Sequence, residues 1–61
     1  MSLRLTPTQL KLLQGLPSSV MTVRMRRVGD ELVAMKLAAW DPEYPGFLEQ
    51  TPTGTERAKH P

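Results

Sequence analysis

The stretch whose reading decides the fold is Met21-Thr22-Val23-Arg24-Met25-Arg26-Arg27-Val28-Gly29-Asp30-Glu31-Leu32-Val33-Ala34-Met35-Lys36-Leu37-Ala38-Ala39-Trp40. Within it Met21, Met25, Val28, Leu32, Met35 and Ala39 recur at spacings of 4, 3, 4, 3 and 4. At roughly 100° per residue all six fall within an arc of about 80°, which predicts one buried helical face. Arg24, Arg26, Arg27, Asp30, Glu31 and Lys36 fall outside the arc, on its flanks and back. Met21, Val23 and Met25 also alternate with Thr22, Arg24 and Arg26, a strand-like pattern of residue types that suit strands. The helical register extends further, so a helix from about Val20 to Leu37 is expected, entered through a strand-like or irregular stretch before Arg24. Gly29 costs up to about 1 kcal/mol relative to Ala in a helix interior. It marks either close packing against another helix or a break between two shorter helices.

Working back toward the N-terminus, Thr6 is a good N-cap, Pro7 sits where its missing N–H costs nothing, and Gln9 can complete a capping box. Leu5 and Leu10 are spaced for a hydrophobic staple, and Leu10, Leu13 and Leu16 mark a buried stripe. Gly15 followed by Pro17 is a stop signal, so a first helix is expected over Pro7 to Gln14. Leu16-Pro17-Ser18-Ser19 then reads as a turn, with Ser18 or Ser19 as the next N-cap.

Beyond Trp40 the texture changes. Asp41-Pro42-Glu43-Tyr44-Pro45-Gly46 is a segment no helix can cross. Short runs on either side predict a β-hairpin, Ala38 to Trp40 against Phe47 to Gln50. Thr51-Pro52-Thr53-Gly54-Thr55-Glu56-Arg57 reads as a turn with a single helical turn near Thr55. The expected class is α+β and mainly helical: two main helices followed by a hairpin, one domain over residues 1–57 and a frayed tail over 58–61.

Sixty-one residues bury only about 60% of the unfolded chain's surface, so the core is thin and oligomerisation is a natural remedy. The chain has no Cys and one His, which excludes disulfides and thiolate metal sites and leaves His60 unable to build a metal site alone. No apolar run approaches the roughly 20 residues of a membrane span, and Met1-Ser2-Leu3-Arg4-Leu5 carries no signal-peptide core. A soluble, cytoplasmic protein is expected. The net charge of +2 conceals a polarity: residues 1–29 carry +5 through Arg4, Lys11, Arg24, Arg26 and Arg27, and residues 30–56 carry −5. Such a molecule offers a basic face to nucleic acid or docks on complementary protein patches, unless the charges are simply a solvated surface.

The order helix, long helix, hairpin, Thr-Pro-x-Gly resembles the winged helix-turn-helix domains of bacterial and phage transcription regulators. The residues that carry the resemblance are Leu32, Met35, Lys36, Leu37, Ala38 and Trp40 before the wing, then Phe47, Leu48, Gln50, Thr51, Pro52, Gly54 and Arg57. Leu5-Thr6-Pro7-Thr8-Gln9-Leu10 is similar to the opening of the first helix in that family. The resemblance implies a minimal winged-helix-like scaffold and DNA as the partner. Two departures stand out: no separate second helix fits between Gly15 and the long helix, and the wing carries Asp41 and Glu43 where basic residues usually meet phosphates.

The expected nucleic-acid-binding residues are Arg24, Arg26 and Arg27, with Lys36, Lys11 and Arg4 as backbone contacts, since the planar guanidinium fork pairs with guanine or phosphate. The expected form is a small DNA-binding regulator acting as a dimer. The alternative is a protein-interaction module on the same scaffold, docking on a larger protein such as a polymerase, a nuclease or another regulator. Trp40, Tyr44 and Phe47 are read as core and wing packing rather than base stacking, and the Met stripe as core or dimer seam rather than a partner groove. No catalytic constellation is recognisable: Ser18, Ser19 and His60 lack a third partner, and there is no Gly-rich phosphate loop. No enzyme activity, cofactor or metal is expected.

Overall fold

A computed structural model describes residues 4–60; Met1 to Leu3 and Pro61, which the expected domain and tail include, lie outside them. The elements run α1 (Pro7–Gln14), β1 (Ser18–Ser19), α2 (Val23–Ala34), β2 (Ala38–Trp40), β3 (Phe47–Gln50) and α3 (Pro52–Lys59). The three strands form an antiparallel sheet in the order β1-β3-β2. Helices cover one of its faces, giving an α+β architecture. Alternation along the strands fixes which face is which: Leu48 and Ala38 are buried beneath the helices, whereas Glu49 and Ala39 are exposed. A strand has period two, so each residue between buried ones must face the other way.

Three fully buried leucines, Leu13 from α1, Leu32 from α2 and Leu48 from β3, tie the layers together, with Leu16, Val20, Leu37 and Ala38 completing the core. Helix α1 is closed at its start by the expected capping box, the Gln9 N–H donating to Thr6 Oγ1 (3.2 Å) and the Thr6 N–H to Gln9 Oε1 (3.0 Å). The Gln9 amide also donates to Glu31 Oε1 at 3.0 Å, while Leu12 near the other end of α1 borders a groove with Met25. Helices α1 and α2 therefore lie antiparallel.

Helix α2 is shorter at both ends than the apolar spacing predicts. Ser18 and Ser19 do not cap it; they pair with Leu48 and Phe47 as β1. The Val20 N–H then donates to the Gly46 carbonyl (2.7 Å), which holds the chain extended until Thr22, whose Oγ1 accepts from the Met25 N–H at 3.1 Å. Met21 is thereby left outside the helix and 83% exposed. At the other end Leu37 N–H donates to the Leu32 carbonyl and Lys36 N–H to the Val33 carbonyl, both at 2.9 Å. This is a Schellman closure with Lys36 at φ 63°. It turns the chain into β2, and Ala39 becomes an exposed strand residue rather than part of a helical seam.

The helix does not break at Gly29. A Cβ added there would lie 3.0 Å from the Trp40 ring and 3.1 Å from Leu48 Cδ2, so the close packing that Gly29 serves is against the hairpin, not another helix. The buried face accordingly centres on Gly29 and Leu32, with Met25, Val33 and Met35 partly buried around it.

The hairpin matches its expected limits, with Ala38 opposite Gln50 and Trp40 opposite Leu48. The segment after it is a two-turn helix rather than a turn, and it takes in Ala58 and Lys59. Thr51 is the N-cap of α3: its Oγ1 accepts from the Gly54 N–H (3.0 Å) and donates to the Lys36 carbonyl (2.7 Å). Gln50 links the layers, its amide donating to the Leu13 carbonyl (2.6 Å) and its Oε1 accepting from Thr55 Oγ1 (2.9 Å).

Candidate nucleic-acid interface

The three arginines sit in the first turns of α2, and the 100° step separates them. Taking Gly29 and Leu32 as the inward direction, Arg27 falls near the middle of the outward face, Arg24 toward α1 and Arg26 toward the hairpin. All three are exposed. Arg26 is nevertheless committed locally, since its Nε–H donates to the Val20 carbonyl at 3.4 Å and a Cβ added at Gly46 would meet its Nη2 at 3.1 Å. It shares a recess of about 220 Å³ with Asp30, Trp40 and Gly46. Arg26 thus braces the hairpin turn against α2, and Arg24 and Arg27 are the arginines of the cluster that project from this end.

The remaining expected contacts divide. Lys11 borders the α1–α2 groove that Met25 lines, so it stands at the Arg24 end of the molecule. Lys36 lies beyond the C-terminus of the 12-residue α2, about 18 Å along the axis from Arg24 at 1.5 Å per residue. Arg4 lines a recess with Leu5, Leu10 and Arg57, on the side where α1 meets α3. The structure therefore brings Arg24, Arg27 and Lys11 to one end, while Lys36 and Arg4 lie elsewhere.

Helix electrostatics make that end unusual. The first turn of α2 contains no acidic residue and carries Arg24, with Arg26 and Arg27 just beyond. Cations at the positive end of a helix dipole cost a few tenths to about 1 kcal/mol each, and an anion placed there relieves the cost. Thr22, a cap that the spacing did not reveal, orients this end.

One acid of the hairpin loop has a structural role. Asp41 Oδ1 accepts from the Glu43 N–H (2.7 Å) and the Tyr44 N–H (3.2 Å), so Asp41 closes the loop on itself. Trp40 packs as expected of a core aromatic, its Nε1–H donating to Asp30 Oδ1 at 2.9 Å. Tyr44 does not; it is 65% exposed. Met21 and Val23, at 83% and 85%, are the other exposed large apolar side chains among the described residues. Helical spacing counts Met21 among the buried residues, so its exposure is not legible in the sequence.

His60 Nε2 lies 3.9 Å from Glu56 one turn earlier on α3, both side chains well exposed. Among the described residues no group of three or more His, Cys, Asp or Glu is placed to hold a metal ion, and no helix is long and apolar enough to cross a membrane. No protein-family model, curated protein or solved structure matches the chain.

Proposed function

We propose that this chain is a small DNA-binding module, a minimal winged-helix-like regulator that presents the start of α2 to a duplex and acts by binding rather than by catalysis. The observation that carries the reading is the exposed Arg24–Arg27 pair at an acid-free helix N-terminus, with Lys11 at the same end. Phosphates there meet two guanidinium forks and the positive end of the dipole together. A hairpin after α2 supports the winged-helix-like reading, since a β-hairpin wing follows the long helix in the family that the sequence resembles. The hairpin's contribution is to brace the helix through Arg26 and Gly46 rather than to grip the backbone.

Anisotropy of a labelled duplex titrated between about 50 and 200 mM salt tests this, because phosphate contacts release counterions and affinity then falls steeply with salt. Replacing Arg24 and Arg27 with Ala should abolish binding, or flatten the salt slope by up to about two units. Arg26→Ala should lower the melting temperature while leaving the slope nearly intact. A chain that binds no duplex even at the lowest salt would refute the DNA reading. The second reading is an interaction module on the same scaffold, favoured by the exposure of Met21 and Val23 beside the arginines.

A further inference from the structure

Among the described residues no helix covers the outer face of the sheet. There Ser19, Asp41, Tyr44, Pro45, Phe47 and Glu49 line an open groove of about 620 Å³. Its floor is aromatic and its rim acidic, so the occupant it suits is apolar and cationic. The chain itself displays such a segment: Met21 and Val23 are more exposed than any other large apolar side chains described, and Arg24 and Arg27 continue from them.

Segment and groove are neighbours. The Val20 N–H donates to the Gly46 carbonyl at 2.7 Å, and Arg26 lies against Gly46, so the entry to α2 and the hairpin turn occupy the same end of the molecule. That end is therefore an apolar patch with bases on one flank and acids on the other. A two-fold axis through such a patch lays each basic flank on the opposite acidic one, which is the condition for a self-complementary interface. The geometry points to a second copy of this chain as the partner: Met21 and Val23 of each copy seat in the Tyr44–Phe47 groove of the other, and Arg24 and Arg27 face Glu43 and Glu49. A thin core adds the incentive, since a domain of this size buries too little surface alone.

Sedimentation equilibrium of the full chain, without nucleic acid, tests the pairing. A mass of twice 6.9 kDa is expected, with dissociation promoted by salt as the flanking charges are screened. Met21→Glu and, separately, Tyr44→Ser should each weaken association by about tenfold or more, since one puts a charge into the apolar seam and the other empties it. Both positions are exposed, and circular dichroism checks that each variant remains folded. The sharper arm reverses charge. An R24E/R27E chain and an E43K/E49K chain should each be monomeric, yet should form a heterodimer when mixed. A chain of single mass at concentrations up to about 1 mM, a dimer indifferent to Met21 and Tyr44, or reversed chains that do not pair on mixing would each overturn the proposal. Because no DNA is present, failure here leaves the duplex titration standing, and a chain that dimerises without binding DNA removes only the earlier reading.

Discussion

Two residues decide how the C-terminal half closes, and each does so through its backbone. Gly54 lies in the first turn of α3, where an added Cβ would land on the Leu37 carbonyl. The neighbouring contacts cannot relax, since Leu37 already accepts the Thr51 N–H at 3.1 Å. Gly54→Ala should therefore cost about 3 kcal/mol or more despite the better helix propensity of Ala, and urea denaturation should find the variant largely unfolded. Lys36 presents the opposite case. It holds φ 63° at the Schellman position, where a side chain is strained and glycine is not. Lys36→Gly should stabilise the chain by up to about 1 kcal/mol, the relief of strain being partly offset by the greater freedom of an unfolded glycine. The same variant reports on binding. If Lys36 touches phosphate, the salt slope for DNA drops by about one unit; if it lies too far from the arginines, as its place at the other end of α2 implies, the slope is unchanged.

The elements show how far local signals carry. Leu32, on the inward face of α2, is fully buried beside Gly29. Leu32→Ala should cost about 2 to 5 kcal/mol, and an unchanged melting curve would mean that the face has been assigned wrongly. The first helix and the hairpin were legible because their signals are local: a capping box, a Pro/Gly loop and short runs that match across it. Helix α2 was legible in its middle and misjudged at its ends. Met21 fits the helical spacing, but the strand pairing of Ser18 and Ser19 with β3 reaches across the chain, and spacing along a sequence cannot record it. Helix α3 was hidden for a related reason. Thr-Pro-Thr-Gly-Thr has the composition of a turn, and it is helical because Thr51 caps it, Pro52 starts it and Gly54 lets it dock on Leu37. The candidate site was half legible. The arginine cluster was visible, but the commitment of Arg26 to Val20 depends on a hairpin turn folding back, and the exposure of Tyr44 depends on Asp41 closing its loop.

For the molecule as a whole, the two proposed surfaces draw on the same charges. Arg24 and Arg27 belong to both, so phosphates and a partner's acids would compete for the same two side chains. Each ligand must then weaken the other by the same factor, since linkage is reciprocal. Duplex added to the dimeric chain should shift the sedimenting species toward DNA carrying single copies. Raising the protein concentration past the dimer's dissociation constant should lower the apparent affinity for DNA. Glu43→Gln with Glu49→Gln removes the acids proposed to face the partner's arginines but leaves the loop cap of Asp41 intact. That variant should be more monomeric and should bind duplex more tightly than the parent, by a margin that grows with protein concentration. A complex in which two copies stay paired through Met21 and Tyr44 while bound to one duplex would show that the arginines do not serve both partners, and the apolar contact would then hold the dimer without them.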